Sequence, residues 1–242
     1  MYLFENDEHR ELRKNVRRFA ETHVRPHATA WEEAEEFPKE LYGEAARAGV
    51  LGIGYGEDVG GTGGDVTHTL VAQEELVLGG HSVGTVVGLG SHGIALPPIV
   101  KLGTAAQREK FVRPVLAGAK ISALGITEPG GGSDVASLRT TAVRKGDHYV
   151  VNGSKTFITS GCRADFVTTA VRTGGPGHGG VSLLVIERGT RGFTVGKKLK
   201  KTGWWASDTA ELAFEDCLVP VENLVGEENM GFYAIMMNFA SE

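Results

Sequence analysis

The sequence predicts an α+β fold, in which an N-terminal all-α helical domain is followed by a β-barrel-like or β-sandwich middle domain. Through the first half of the 242 residues, apolar side chains recur at helical spacing, as in Leu12, Val16 and Phe19. The second half instead contains short runs rich in Val, Ile, Thr and Phe, separated by turn residues. We therefore expect the helical domain over residues 1–120 and the β-domain over 121–228.

Turn and capping residues delimit the helices of the first domain. Pro26 ends or kinks the first helix, because proline lacks a backbone N–H and clashes with the preceding turn. Thr104 and Gln107 have the spacing of a capping box, which predicts that a helix begins there. The later helices are predicted from Pro38 to just before Gly49 and over 67–79, 82–102 and 104–116.

Turn residues also delimit the strands of the second domain. Asn152-Gly153 is a strong hairpin signal, so two strands are expected to meet there. The glycine-rich segment 173–180 favours a solvated hairpin connection over an anion site. The predicted strands are 121–127, 147–151, 154–159, 165–171, 181–187, 192–199 and 209–215.

The last stretch, 229–242, opens an apolar helix. Its apolar positions at 232, 235, 236 and 239 need a partner surface that the given residues do not supply. The stretch ends without a glycine, a C-cap or a basic last turn. We interpret it as the first helix of a truncated C-terminal helical domain, with a frayed amphipathic tail as the alternative.

Composition and charge weigh against several classes of protein. A net charge of −5 and a pI of about 5.9 do not favour nucleic acid as a partner. Cys162 and Cys217 form no Cys-x-x-Cys pair, so neither a zinc site nor a disulfide framework is expected, and a reducing, cytoplasmic location fits. The charged N-terminus argues against a signal peptide, and no apolar run reaches the ~18 residues of a membrane span. Neither a Rossmann glycine pattern nor a P-loop occurs.

Two segments have the composition of a site for a flat heterocycle. Residues 124–134, Leu-Gly-Ile-Thr-Glu-Pro-Gly-Gly-Gly-Ser-Asp, form a short apolar strand, a glycine-rich turn and two polar residues. Glycines let backbone N–H groups approach a ligand, and hydroxyls donate to its polar edge. In 152–159, Asn-Gly-Ser-Lys-Thr-Phe-Ile-Thr, an aromatic side chain stands among hydroxyl residues. Each segment alone is also typical of a surface turn, a hairpin or a core aromatic.

Together the two segments resemble the acyl-CoA dehydrogenases, a family of FAD enzymes. Further matching pieces occur in family order and at family spacing: Glu74-Glu75-Leu76, Gly103-Thr104-Ala105-Ala106-Gln107, Phe214-Glu215-Asp216 with Val219-Pro220, and Asn223-Leu224-Val225-Gly226. The resemblance runs from the first helix to the last residue. It implies the first two domains of the family, with most of a third, helical domain missing.

The resemblance also implies roles for individual residues. Those matching the family's flavin-contacting strands and turn are Leu124, Ile126, Thr127, Gly132, Ser133, Phe157, Ile158 and Thr159. Ser133 also stands where the family contacts the pantetheine side of acyl-CoA. The chain departs from the family at Phe157, where Trp is frequent, and at Trp205, where Arg is common, so an ionic contact at Trp205 is in doubt.

Most family members carry the catalytic base in the third domain. In a subgroup, the base lies on the first helix of that same domain. Glu242 falls on that position, so the resemblance implies that it removes the α-proton of the substrate. In the chain as given, a solvated terminal carboxylate is the alternative. We expect the 242 residues alone to be a poor dehydrogenase.

The implied reaction is the α,β-dehydrogenation of a fatty or branched-chain acyl-CoA thioester to the trans-2-enoyl-CoA, with FAD as the cofactor. Acyl-CoA is then the substrate, an electron-transfer flavoprotein or similar protein the electron acceptor, and a tetramer or dimer the full-length assembly. Two alternatives stay open. One is a non-catalytic fragment that acts as a binding or oligomerisation module, and the other is a flavin oxidase or monooxygenase on the same fold.

Other residues are weaker candidates for chemistry. His23 and His27 have i, i+4 spacing, but no third ligand follows in a recognisable pattern, so no metal site is predicted. Ser91-His92 lacks the pattern of a nucleophile elbow. The lysines at 197, 198, 200 and 201 are expected to form a solvated basic face, with an approach to CoA phosphates as the alternative.

Overall fold

The structure is a computed structural model and describes residues 2–239. It divides into two units, each assembled from separate stretches of chain. The first unit contains the chain up to Gly90 with Val112–Lys120 and Lys201–Ser207, and the second contains Ser91–Phe111, Ile121–Lys200 and the chain from Asp208 onward. Residues Ser91–Phe111 therefore cluster with the second unit, whereas the sequence analysis assigned them to the helical domain.

Helices precede the sheet along the chain, which confirms the α+β fold class. Within residues 2–239 the α-helices are α1 (Asp7–His23), α2 (Ala28–Glu33), α3 (Glu40–Arg47), α4 (Val66–Gly80), α5 (Val83–Leu89), α6 (His92–Ala95), α7 (Pro97–Leu102), α8 (Ala105–Gln107), α9 (Arg113–Leu116) and α10 (Gly231–Phe239). The strands are β1 (Ser122–Gly125), β2 (Thr141–Lys145), β3 (His148–Thr159), β4 (Phe166–Arg172), β5 (Val181–Glu187), β6 (Phe193–Lys198), β7 (Thr209–Pro220) and β8 (Leu224–Val225).

Helices α1 and α4 pack closely in the first unit. A side chain at Gly79 would bring its Cβ to 2.9 Å from the Cβ of Ala20, so glycine is required at this contact. Helix α1 ends at His23, and Pro26 lies in the 3₁₀ turn Arg25–His27 that follows. The predicted end of the first helix near Pro26 is therefore confirmed.

The capping box at Thr104 and Gln107 is also confirmed. The Gln107 N–H donates to Thr104 Oγ1 at 3.2 Å, and the Thr104 N–H donates to Gln107 Oε1 at 3.0 Å. The helix continues through a π-helical turn, Arg108–Val112, into α9. The single helix expected over 82–102 is wrong, because this stretch folds as α5, α6 and α7. Proline stands in the first turn of α7, where its missing N–H costs no intrahelical bond but prevents continuity with α6.

The helical run Val83–Leu102 is long and apolar enough to cross a membrane by length and composition alone. Half of the most apolar stretch in this run is buried inside the structure, and the run is interrupted between its three short helices. A buried core helix meets the same criterion, so the run is weak evidence for a membrane span. The absence of a span stays a prediction.

Within the part of the chain that the structure describes, the strands form an eight-stranded sheet, in which seven follow the order β6-β7-β3-β2-β4-β5-β8 and β1 lies off this path. Strand β1 pairs with β4 in parallel from Ser122 opposite Phe166 to Gly125 opposite Thr169, and β2 meets the far end of β4 where Thr141 pairs with Arg172. The segment 126–140 connects β1 to β2, and both of these strands pair with β4. This topology places the predicted glycine-rich turn in the connection between β1 and β2.

The hairpin predicted at Asn152-Gly153 is wrong. Both residues lie inside β3, which is one continuous strand, and the pairing of β3 with β7 shifts between Val151 and Gly153. Gly153 has φ +147°, and a Cβ there would lie 2.7 Å from the Cα of Thr140, so glycine is needed for a bulge rather than a turn. The hairpin instead joins β3 to β2, a strand missing from the sequence analysis, in which Lys145 pairs with His148.

Candidate functional site

The two motif segments meet in the second unit. The N–H of Thr156, on β3, donates to the carbonyl oxygen of Thr127 at 2.9 Å. Leu124 lies half-buried on β1, and Ile126 is buried just after it. Thr127 is half-buried and begins the turn. A backbone hydrogen bond between the ends of two strands fixes their relative position, so the segments form one local site.

The glycine-rich turn is closed by its own backbone. The N–H of Glu128 donates to the carbonyl of Gly131 at 3.0 Å, and the Gly131 N–H donates back at 3.1 Å. Gly132 then folds back over Thr127, since a Cβ at Gly132 would lie 3.1 Å from Thr127 Cγ2. Gly132 is exposed, and so is Ser133, the predicted substrate contact. The structure therefore brings Gly132 to Thr127 and leaves Ser133 accessible on the same turn.

Phe157 projects from the end of β3. The pairing of β3 with β7 shifts between Lys155 and Ile158, and Phe157 has φ +59° and 68% exposure. A positive φ is costly for a bulky residue, on the order of 1–3 kcal/mol, and such strain is found at ligand clamps. Ile158 is buried and Thr159 half-buried; they pair with Ala210 and Thr209. The bulge thus aims one large aromatic side chain outward while its neighbour packs in the core.

Asp208 holds the chain that follows Thr159. Its carbonyl accepts from the Ser160 N–H at 2.9 Å, and its carboxylate accepts from the Cys162 N–H at 2.6 Å and from Arg163 Nε at 2.8 Å. Ser160 also has a positive φ, +61°. These bonds fix the strained turn on which the position of Thr159 depends. The sequence analysis missed Asp208, because it lies about fifty residues away along the chain.

A buried ion pair lies beside Thr127 and was also missed. Lys155 is fully buried, and its Nζ donates to Glu128 Oε1 and to the carbonyl of Ile126, at 2.9 Å each. The Glu128 carboxylate also accepts from the N–H groups of Arg139 at 2.7 Å and Thr140 at 2.8 Å. The inward–outward alternation of side chains along β3 could have indicated a buried lysine, since Lys155 occupies an inward position.

The two groups of this pair are both charged near neutral pH. Burial would raise the pKa of Glu128, but the Lys155 ammonium and the hydrogen bonds from Thr140, Lys155 and Arg139 lower it to about 2. Burial lowers the pKa of Lys155 to about 8, although the Glu128 carboxylate opposes this shift. The pair therefore carries both charges between these two values.

We expect acid to remove the stability that Glu128 contributes. The folded-state pKa of about 2 lies below the ordinary 4.5, so this contribution is complete above about pH 4.5 and is lost as the pH falls through about 2. The loss is on the order of 3 kcal/mol. Urea unfolding of the wild type and Glu128→Gln from pH 7 to pH 2 should show a stability difference that shrinks towards acid. Glu187→Gln, in an ion pair with Lys110 near the surface, is the control, and a constant difference for Glu128→Gln would contradict the expectation.

The arrangement fits a flat ring system with a polar edge. Thr127 and Thr159 supply hydroxyl and backbone donors, Phe157 supplies an exposed aromatic face, and Gly132 leaves the space next to Thr127 free of a side chain. An open cleft of about 320 Å³ lies on the other part of the turn, and its lining includes Gly130, Gly131 and Arg139. The predicted flavin residues do not line this cleft.

The predicted base, Glu242, lies outside the described residues. The helix that leads to it, α10, buries Ala234 and Ile235 and exposes Met236 and Phe239. The expectation that Ile235 lacks a partner is therefore wrong. The same expectation is wrong for Phe232, whose ring contacts that of His178 with a centroid distance of 4.2 Å. The exposed apolar side of α10 is consequently narrower than the sequence pattern indicates.

His23 and His27 each contact an aromatic ring on their own helical segment. Their rings stack on neighbouring aromatic rings, His23 on Phe19 and His27 on Trp31, with centroids 5.1 Å apart in each pair. The predicted basic residues Lys197, Lys198 and Lys200 are exposed. Trp205, in place of the family's Arg, is also exposed, and its Nε1 donates to the Lys201 carbonyl at 2.8 Å.

A different trio, His9, Asp65 and His68, has side-chain ligand atoms within 4.8 Å of one another. Both histidines are the N3 residues of capping boxes, in which their imidazoles interact with the backbone N–H of the N-cap residue. The Asn6 N–H faces His9 Nδ1 at 3.5 Å, and the Asp65 N–H donates to His68 Nδ1 at 3.2 Å. Helix capping therefore accounts for the cluster without a metal.

Comparison with known proteins gives one family. The model of the acyl-CoA dehydrogenase N-terminal domain matches residues 6–119, and that of the acyl-CoA dehydrogenase middle domain matches residues 123–217. The long-chain specific acyl-CoA dehydrogenase of mouse mitochondria (Mus musculus) is 43% identical over an alignment of 242 positions. The alignment covers 98% of this chain and 55% of the mouse protein. The chain thus spans about half the length of this relative.

Solved structures agree with this result. A probable acyl-CoA dehydrogenase from Mycobacterium abscessus superposes with a TM-score of 0.96 at 55% identity, covering 98% of this chain and 63% of that one. A structure described as PigA with FAD and proline has a TM-score of 0.94 at 26% identity, and covers 100% of this chain and 63% of that one.

Proposed function

Because the chain belongs to the acyl-CoA dehydrogenase family, we propose that it forms the flavin- and substrate-contacting part of an FAD-dependent acyl-CoA dehydrogenase. The proposed reaction is the α,β-dehydrogenation of a fatty or branched-chain acyl-CoA thioester to the trans-2-enoyl-CoA. The observation that supports it best is the meeting of the two motif segments, where the Thr156 N–H bonds to Thr127 and Phe157 projects beside them. We further propose a cytoplasmic location, a homo-oligomer, and an electron-transfer flavoprotein or similar protein as electron acceptor.

The residues of the chain have distinct tasks in this proposal. FAD, when bound, supplies the acceptor for the hydrogen that leaves the β-carbon. Thr127 and Thr159 bind the polar edge of the ring, and Phe157 covers an apolar part of it. Ser133 contacts the pantetheine side of acyl-CoA from the exposed turn. Glu242 removes the α-proton, a step for which an apolar, water-poor setting is favourable.

The proposal is tested on the purified full-length protein. Copurified or added FAD should give the visible absorption of oxidised flavin, and addition of an acyl-CoA without oxygen should bleach it. A colourless protein that takes up no FAD would support a non-catalytic module instead. Bound flavin that no acyl-CoA of any chain length or branching bleaches would contradict the dehydrogenase assignment.

A flavin oxidase is the second candidate, because a structure described as the prolyl acyl carrier protein oxidase AnaB shares the fold, with a TM-score of 0.90 at 29% identity over 97% of this chain and 62% of that one. An oxidase passes electrons directly to oxygen. Oxygen consumption coupled to substrate turnover, measured with an oxygen electrode, therefore separates it from a dehydrogenase that needs a protein or dye acceptor.

We expect Thr127→Val combined with Thr159→Val to weaken FAD binding about tenfold or more. Each substitution keeps the shape of the side chain and removes one hydroxyl, and a hydrogen bond contributes about 1 kcal/mol. FAD dissociation constants from fluorescence titration provide the measurement. Thr194→Val, at an exposed position on β6, is the matched control. Unchanged affinity in the double variant would place the flavin edge elsewhere.

A further inference from the structure

The ion pair of Lys155 and Glu128 holds the peptide unit that precedes Thr127. The Lys155 ammonium donates to the Ile126 carbonyl at 2.9 Å, and the N–H of that same peptide unit belongs to Thr127. The next peptide unit is held as well, because the Thr127 carbonyl accepts from the Thr156 N–H at 2.9 Å. Thr127 is therefore fixed from both sides, with a full positive charge on one of them.

A charge at a carbonyl oxygen changes the N–H of the same peptide unit. The ammonium draws electron density towards the Ile126 oxygen, which makes the Thr127 N–H a stronger hydrogen-bond donor. The lysine is fully buried, so water does not screen this effect. A stronger donor stabilises negative charge on whatever it binds.

We propose that Lys155 and Glu128 are positioning residues for the flavin, which orient Thr127 and tune the reduction potential of the bound ring through the Ile126–Thr127 peptide. This inference rests on the proposed function, since it requires a flavin at Thr127. Neither side chain touches the flavin in this assignment, and both act through the backbone.

The two charges should have opposite effects on the potential. Reduction adds negative charge to the ring, and the surroundings favour it when they are more positive. Lys155→Met leaves the Glu128 carboxylate without its cation and should lower the potential. Glu128→Gln removes the carboxylate that raises the pKa of Lys155, so the potential should rise when it is measured at a mildly acidic pH, where the ammonium keeps its proton. Gln keeps one acceptor oxygen for the N–H groups of Arg139 and Thr140, which bond to separate oxygens of Glu128. A purely structural pair would not give shifts of opposite sign.

The experiment measures FAD dissociation constants and reduction potentials, by dye-coupled spectroscopic titration, on the full-length protein. The variants are Lys155→Met, Glu128→Gln and the combination of both, with Lys110→Met as control, because Lys110 forms a more exposed ion pair with Glu187 in the same unit. We expect a lower potential and an FAD affinity weaker by on the order of tenfold in Lys155→Met. A higher potential is expected in Glu128→Gln, and a potential closer to wild type in the combination.

Shifts of the same sign in both single variants, or none, would overturn the positioning role while leaving the proposed function standing. A wild-type protein that binds no FAD would overturn both. If one single variant fails to fold, the other still decides, because its potential must shift in the predicted direction and must return towards the wild-type value in the combination.

Discussion

Full-length Glu242→Gln should reduce its flavin with acyl-CoA roughly 10²–10⁴-fold more slowly than the wild type. Glutamine keeps the shape and hydrogen-bonding capacity of the side chain but removes its basicity, so only the α-proton transfer is affected. Stopped-flow absorbance under anaerobic conditions measures this step directly. The affinities for FAD and acyl-CoA should stay close to those of the wild type.

The control for Glu242→Gln is Glu222→Gln, which alters an exposed carboxylate outside the proposed site. Flavin reduction at the wild-type rate in Glu242→Gln would show that another residue is the base.

Lys155→Met should destabilise the folded protein by about 3–5 kcal/mol. The substitution leaves Glu128 as a buried carboxylate without its cation, and it removes the hydrogen bond to the Ile126 carbonyl. Removing one partner of a buried pair costs more than the pair contributes, because the remaining charge stays desolvated. Urea unfolding followed by circular dichroism at pH 7 provides the measurement.

Two controls separate this effect from the loss of a lysine as such. Lys110→Met removes the cation of the more exposed ion pair with Glu187, for which about 0–1 kcal/mol is expected. Combining Lys155→Met with Glu128→Gln removes both charges and should recover part of the loss. Equal destabilisation by Lys155→Met and Lys110→Met would mean that water reaches the Lys155 pair.

The sequence motifs identified the segments of the candidate site, but not the contacts that fix them. Thr127, Gly132 and Phe157 were singled out because residue type and order carried the family resemblance. Lys155 stands inside the second motif, yet its partner Glu128 is 27 residues earlier, and no local rule links them. Asp208 was missed for the same reason, since it braces the turn after Thr159 from another strand region.

The sequence by itself determined the α+β class, the end of the first helix and the capping box at Thr104. These features depend on periodicity, on the missing N–H of proline and on bonds between residues three apart, which are all local. Only the tertiary structure decided that Asn152-Gly153 lies in a bulged strand rather than a turn. Pairing with β2 on one side and β7 on the other supplies more backbone hydrogen bonds than a local hairpin would, and this overrides the turn preference of the dipeptide. The same pairing with β7 shifts between Lys155 and Ile158, where Phe157 turns outward. The Lys155 charge stays inside, where Glu128 and the Ile126 carbonyl compensate for the lost water.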